Sequence, residues 1–204
     1  MIHKLISERK SIRAFADRSI DDETIIHLFE AARWAPSSLN EQPWRFIVAR
    51  KEDSESFEKI LSCLNEMNRV WAQHSAMLMI TVAKKSFSSR DVQNMYAMHD
   101  VGLAIGNLSL QATALDIFLH QMGGINKEKI RLLFEVPDEY EIVSIIAGGY
   151  EGNPENLPEN LRAREMEPRT RKGLDELIFS NKFGEKSLLN KNQIRPATIT
   201  AKEK

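Results

Sequence analysis

Hydrophobic residues recur along the chain in two alternating rhythms, one of helical period and one of strand-length runs. Residues 2 to 9 read as a short helix, and Arg9 to Phe15 then breaks that pattern into an extended or loop stretch. Asp21 is a candidate N-cap, with Ile20 and Ile25 placed as a hydrophobic staple and Phe29 and Ala32 continuing the apolar face of a helix that must end before Pro36. Arg45 to Arg50, carrying Phe46-Ile47-Val48-Ala49, reads as a strand. Phe57, Ile60, Leu61, Leu64 and Met67 return to helical spacing. Ala76 to Ala83 reads as a buried strand, and Val92 to Phe118 as one long central helix whose second half is apolar on nearly every side. Gly102, Ala104, Gly106, Ala112 and Ala114 are small enough there to let another element approach closely. A strand-like piece at Leu119 to Met122 and a glycine turn follow, then a short helix capped by Asn126 and running to Phe134, then a strand from Glu141 to Tyr150. Gly152 to Glu167, rich in proline, asparagine and charge, reads as a surface loop, with a last helix near Lys172 to Phe179.

The chain of 204 residues, 42% hydrophobic, suffices for one core-bearing domain at 1–180, followed by a polar tail at 181–204 that is disordered alone or an arm over a partner. A formal net charge of -1 gives no global field to recommend nucleic acid or an anionic membrane as a partner. The lone Cys63 has no partner for an internal disulfide, which suits a reducing cytoplasm. The first residues lack the apolar run of a signal peptide, and Ala76 to Ala83 is too short to span a bilayer.

The most informative stretch is Ala35-Pro36-Ser37-Ser38-Leu39-Asn40-Glu41-Gln42-Pro43-Trp44. Two prolines stiffen it, and Ser37, Ser38, Asn40 and Gln42 offer neutral donors and acceptors, which suit a planar heteroaromatic edge better than a metal. Taken alone it reads first as an Asx or serine turn between helix and strand. Arg9, Lys10 and Arg13, with the Ser11 hydroxyl, form a plausible phosphate grip, because charge-assisted bonds to phosphate are about twice as strong as neutral ones. Arg169-Thr170-Arg171-Lys172 is a second basic cluster, and either cluster alone is more ordinarily a solvated face. The histidines are scattered without metal-ligand spacing, and the chain holds no phosphate-binding glycine loop and no nucleophile elbow.

The order and spacing of Arg9-Lys10-Ser11-Ile12-Arg13-Ala14-Phe15 and Ala35 to Trp44 resemble the flavin-binding signature of the nitroreductase family. His99 to Ala112 is similar to that family's central helix, and Gln121-Met122-Gly123-Gly124 to its flavin-edge turn, so the resemblance spans roughly residues 3–172. It implies an α+β fold with a central, mostly antiparallel sheet flanked by helices, in an intertwined homodimer with FMN at the interface and NADH or NADPH as electron donor. By the same resemblance, Arg9 and Ser11 serve the FMN phosphate or ribityl chain with Lys10 alongside, Arg13 reaches the pyrimidine edge and tunes the flavin, and Arg169 and Arg171 complete the phosphate grip. Pro36, Ser37, Ser38 and Asn40 approach a ring held mainly by the other subunit, Gln42 supports their loop, and Gly123 and Gly124 let a backbone N–H come near the ring. The implied activity is ping-pong reduction of nitroaromatic, quinone or similar electron-poor substrates, with no catalytic acid or base supplied by the protein. Other chemistries on the same fold, such as dehalogenation, enone reduction or oxygen-dependent flavin chemistry, and a non-catalytic flavin-binding protein, are the alternatives. Lys10 stands where a second arginine is common, and Asp116 where glycine often closes the central helix.

Overall fold

The computed structural model describes residues 2–90, 92–185 and 197–199. The chain divides into two compact units, Met1–Pro158 and Glu159–Lys204.

The first unit is built on a four-stranded antiparallel sheet in the order β1-β2-β4-β3, comprising β1 (Trp44–Arg50), β2 (Met77–Lys84), β3 (Ile117–Met122) and β4 (Tyr140–Tyr150). β2 and β4 are central, and β2 is buried along nearly its whole length, so it reads as a continuous apolar run instead of an alternating one. The helices are α1 (Lys4–Glu8), α2 (Asp22–Arg33), α3 (Ser54–Leu61), α4 (Glu66–Ala72), α5 (Ala97–Ala114) and α6 (Lys127–Leu133). The α+β architecture expected from the sequence is the one observed.

α5 buries Ala97, Val101, Ala104, Ile105, Leu108 and Ala112, a stripe at helical spacing, against α2 and one face of the sheet. Leu28 and Ala32 of α2 meet Met77, Met79, Ile117 and Ile146 in the same cluster, and each large side chain buried this completely contributes about 1.5–3 kcal/mol. The strand's two-residue alternation turns Leu78 and Ile80 to the opposite face, the side of β1 and β2 that α3 packs against with its buried Phe57, Ile60 and Leu61. Asp21 caps α2 as expected, its carboxylate accepting the Thr24 N–H at 2.7 Å. The stretch after α1 is extended at Ala14 to Ala16, pairing with the end of β4 through Ala16 N–H to Tyr150 O and Gly152 N–H to Ala14 O, each 2.9 Å. A Cβ at position 152 would lie 2.4 Å from the Phe15 backbone, so glycine is what permits this approach.

Several boundaries differ from the expectation. The apolar positions from Phe57 to Met67 belong to two helices, because the chain turns at Cys63 and Leu64 to pair with Ile125 and Asn65 caps a new helix by accepting the Asn68 N–H. The long helix starts only at Ala97 and stops at Ala114. Asp116 then adopts a left-handed backbone (φ 58°), the conformation glycine takes most cheaply, and the chain continues as β3. Ala104 and Ala112 are packed, whereas Gly102 and Gly106 lie on the open side of α5, where an added Cβ would meet nothing within 4 Å. The close approach expected for all the small residues therefore holds for only some of them within this chain.

In the second unit α7 (Glu159–Met166) occupies half of what read as a surface loop, and β5 (Arg169–Arg171) pairs antiparallel with β6 (Ala197–Ile199). The expected helix near Lys172 to Phe179 is only a 3-10 turn at Leu174–Glu176. Of the polar tail, 186–196 and 200–204 lie outside the described residues.

Candidate functional site

Two groups of the residues singled out in the sequence are held by different elements of the first unit. The first group surrounds the extended stretch after α1. Arg9 Nη1 reaches the Ser11 hydroxyl at 3.4 Å, Lys10 pairs with Glu151 at the end of β4, and the Lys10 ammonium stands 5.1 Å over the Phe118 ring of β3. Ile12 is buried between Ser11 and Arg13, and its carbonyl accepts the Nδ1–H of His120 at 2.8 Å. That bond, with Lys10 over Phe118, joins the Arg9 to Arg13 segment to β3, which runs on into the Gln121-Met122-Gly123-Gly124 turn.

His120 is packed under Trp71, ring centroids 4.5 Å apart, and Trp71 in turn stacks on Phe15 at 6.2 Å. Burial pushes the His120 imidazole down to about 4; the bond to Ile12 opposes the shift and the nearby Arg13 charge adds to it. The ring is therefore neutral at pH 7, with its proton on Nδ1. In the turn, Gln121 and Gly123 are exposed and Met122 is buried. A Cβ at position 123 would meet nothing within 4 Å, while one at 124 would collide with Asn65 Nδ2 at 2.2 Å. Gly124 is accordingly required by the cap of α4, and Gly123 borders open space.

The second group is the loop between the two prolines. Asn40 donates its N–H to Ser37 O and Glu41 its N–H to Ser38 O, forming a single 3-10 turn at Ser38–Asn40. The Ser37 hydroxyl accepts the Gln42 N–H at 2.9 Å, and the Gln42 side-chain amide donates to Asn40 Oδ1 at 3.1 Å. Gln42 thus braces the loop. Leu39, Asn40 and Gln42 all have positive φ, at 53°, 54° and 50°, a conformation that costs ordinary residues on the order of 1–3 kcal/mol unless the surroundings impose it. Pro36, Leu39 and Asn40 are exposed, and Ser37, Ser38 and Gln42 half-buried.

Two carboxylates that sequence reasoning did not select hold this loop. Asp100, only 2% exposed in the first turn of α5, accepts the Ser38 N–H at 2.9 Å, and His99 Nδ1 lies 3.0 Å from its other oxygen. Glu41 accepts the Ser88 N–H at 2.9 Å and the Ser88 hydroxyl at 2.5 Å, with Lys84 Nζ 3.9 Å away. The Ser88 hydroxyl bond is the largest of the influences that hold the Glu41 carboxyl below its usual range. A buried acid in a helix's first turn is the signal that could have found Asp100; its partner, sixty-two positions away, leaves none.

Arg169 and Arg171 lie on β5 of the second unit, where burial lowers the Arg169 guanidinium from its usual value and Arg171 adds to the shift. A cavity of about 290 Å³ in the first unit is lined by Asp17, Arg18, Ser19, Lys51, Glu52 and His74 and includes none of the selected residues. Among the described residues no group of three His, Cys, Asp or Glu side chains is placed to hold a metal ion, and no helix is long and apolar enough to cross a membrane.

The family model described as "Nitroreductase family" matches residues 6–150. The chain belongs to the nitroreductase family. Within the family, an Archaeoglobus fulgidus protein named "Putative NADH dehydrogenase/NAD(P)H nitroreductase" is 32% identical over 151 residues, covering 72% of this chain and 83% of that one. A solved structure described as "The crystal structure of the oxidoreductase containing FMN" is 31% identical, with a TM-score of 0.86 over 91% of this chain and 94% of the other. An iodotyrosine deiodinase of Thermotoga neapolitana is 24% identical over 175 residues, 76% of this chain and 90% of that protein. The resemblance read from Arg9 to Phe15 and Ala35 to Trp44 thus points to the correct family.

Proposed function

We propose that this nitroreductase-family chain is an FMN-dependent oxidoreductase that draws electrons from NADH or NADPH and reduces small electron-poor substrates such as nitroaromatics or quinones. The observation that carries the reading is the His120–Ile12 bond, which joins the segment carrying Arg9, Ser11 and Arg13 to β3, the strand that runs into the Gln121 to Gly124 turn. The 31% identical structure that contains FMN supports it.

The residues present fit the cofactor. Arg9 and Ser11 offer a cation and a hydroxyl for a phosphate or ribityl chain, with Lys10, paired to Glu151, shaping its flank. Gly123 leaves open the space a side chain would fill, as the approach of a flat ring requires, with Gln121, Met122 and Gly124 framing it. Pro36, Ser37, Ser38, Asn40 and Gln42 form a preorganised polar loop, assigned to the ring held by a second subunit. FMN held there would supply the hydride-accepting centre, one pocket would serve donor and acceptor in turn, and ping-pong kinetics would follow. Arg13 places a fixed positive charge at the pyrimidine edge, where negative charge accumulates on reduction, and thereby raises the potential. His120 stays neutral and holds the Ile12 carbonyl, fixing where Arg13 begins without adding a second charge.

The working form is a homodimer. Met95, Met98 and Leu103 are exposed on or just before α5 alongside the open Gly102 and Gly106, an apolar face with small residues that a second copy can approach closely. Its compartment is the cytoplasm, where the buried thiol of Cys63 stays reduced.

A second reading, reductive dehalogenation on the same fold, is favoured by the similarity to iodotyrosine deiodinase. Steady-state assays of the FMN-loaded protein separate the two. Turnover of nitroaromatics or quinones with NADH or NADPH supports the first; turnover of halogenated phenols with those acceptors inert supports the second.

A further inference from the structure

We infer that Asp100 and Glu41 are the positioning residues of the loop from Pro36 to Pro43: two carboxylates shielded from solvent that clamp it, ahead of ligand binding, in the shape the flavin meets. This inference deepens the flavin reading and rests on it.

The loop has reason to collapse if left alone. Leu39 is an exposed leucine held at φ 53°, next to Asn40 at 54°, with Gln42 at 50° two residues on. Asparagine tolerates this region, but leucine gains nothing from it locally, so the geometry persists only where the surroundings over-determine it. The internal bonds Asn40 N–H to Ser37 O, Glu41 N–H to Ser38 O and Gln42 N–H to Ser37 Oγ close the turn on itself without fixing where it sits.

Arg45 Nη1 to Gln42 O and Lys84 N–H to Pro43 O, each 2.9 Å, hold its C-terminal end, and two carboxylates tie down the rest. Asp100 ties Ser38 to α5, and its side chain is 3% exposed. Glu41, 7% exposed, ties the other half to Ser88 and Lys84 at the end of β2. Shielded carboxylates are expensive unless hydrogen-bonded, and bonds in which the acceptor is charged are roughly twice as strong as neutral ones, so each clamp resists being opened. Between the clamps Leu39 and Asn40 project outward. A loop so fixed loses little conformational entropy when a ligand arrives, and its affinity is higher for that reason.

Amide exchange of the flavin-free protein and FMN titration test this together. Asp100→Ala is expected to speed exchange of the Ser38, Asn40, Glu41 and Gln42 amides about tenfold or more relative to those of β2, and to weaken FMN binding by about tenfold, one factor of ten corresponding to about 1.4 kcal/mol. Asp100→Asn, which retains an acceptor for the Ser38 N–H, is expected to recover most of both, and Glu41→Ala to loosen the Glu41 to Gln42 half. Should Asp100→Ala fail to fold, Ser38→Pro removes the donor instead. Ser37 already has the extended backbone (φ -147°, ψ 156°) that a following proline demands. Loop exchange unchanged in these variants, or a loosened loop with unaltered FMN affinity, overturns the inference. Wild-type protein that binds no FMN at all would instead refute the flavin reading, and the exchange data would still decide whether the carboxylates clamp the loop.

Discussion

The Nδ1–H of His120 donates to the carbonyl oxygen of Ile12 across 2.8 Å, joining β3 to the segment that carries Arg9, Ser11 and Arg13. Burial holds this imidazole near 4, below its ordinary value of 6.5, so the folded state binds fewer protons there than the unfolded state. The stabilisation is complete above pH 6.5 and is lost as pH falls towards 4, by up to about 3 kcal/mol in all. Denaturant unfolding of wild type and His120→Gln at about pH 7.5 and about pH 4.5, on either side of the unperturbed imidazole value, checks this. The wild type is expected to lose the larger share of its stability on acidification, since the glutamine carries no titrating group.

Gly123 and Gly124 should respond differently to the same change. Gly124→Ala drives a methyl into Asn65 and is expected to cost about 1–3 kcal/mol in unfolding free energy by overpacking. Gly123→Ala meets no atom of the chain, so its stability should be near wild type while its FMN affinity falls. Thermal melts and flavin titrations of the two variants separate the packing role from the ligand role.

Asp116 bears the left-handed turn from α5 into β3 (φ 58°). Asp116→Gly is expected to leave stability unchanged or raise it by up to about 1 kcal/mol, whereas Asp116→Val should cost about 1–2 kcal/mol, because a β-branched side chain fits that region poorly. Equilibrium unfolding measures both.

Arg13→Ala is expected to weaken FMN binding by roughly 1.5–3 kcal/mol, the scale of a hydrogen bond to a charged group, and to lower the flavin reduction potential. Potentiometric titration of the reconstituted variant reads the second effect independently of affinity. An unaltered potential would remove Arg13 from the flavin edge.

Where the physics was local, the sequence was legible. The Asp21 cap and the apolar run of β2 needed only neighbours a few residues away. α7 was missed because Glu159 to Met166 buries only Leu161 and so carries no apolar periodicity to read. The break between α3 and α4 was missed because Leu64 pairs with Ile125, sixty-one residues further on, and the helical spacing of apolar positions ran unbroken through it. In the candidate site, Arg9 to Arg13 and the proline-bounded loop are visible as motifs. The reasons for their shape are not: Asp100 beneath Ser38, His120 beneath Ile12 and Asn65 against Gly124 are meetings of distant residues, to which no periodicity points.

The central claim is tested most directly by adding FMN to the purified protein and following the bound flavin's visible absorbance under anaerobic titration with NADH or NADPH. The account predicts stoichiometric binding, about one FMN per chain, and bleaching of the oxidised flavin band by about one equivalent of donor, as a two-electron hydride transfer requires. Protein that takes up no FMN, or bound flavin that neither nicotinamide bleaches, would contradict it.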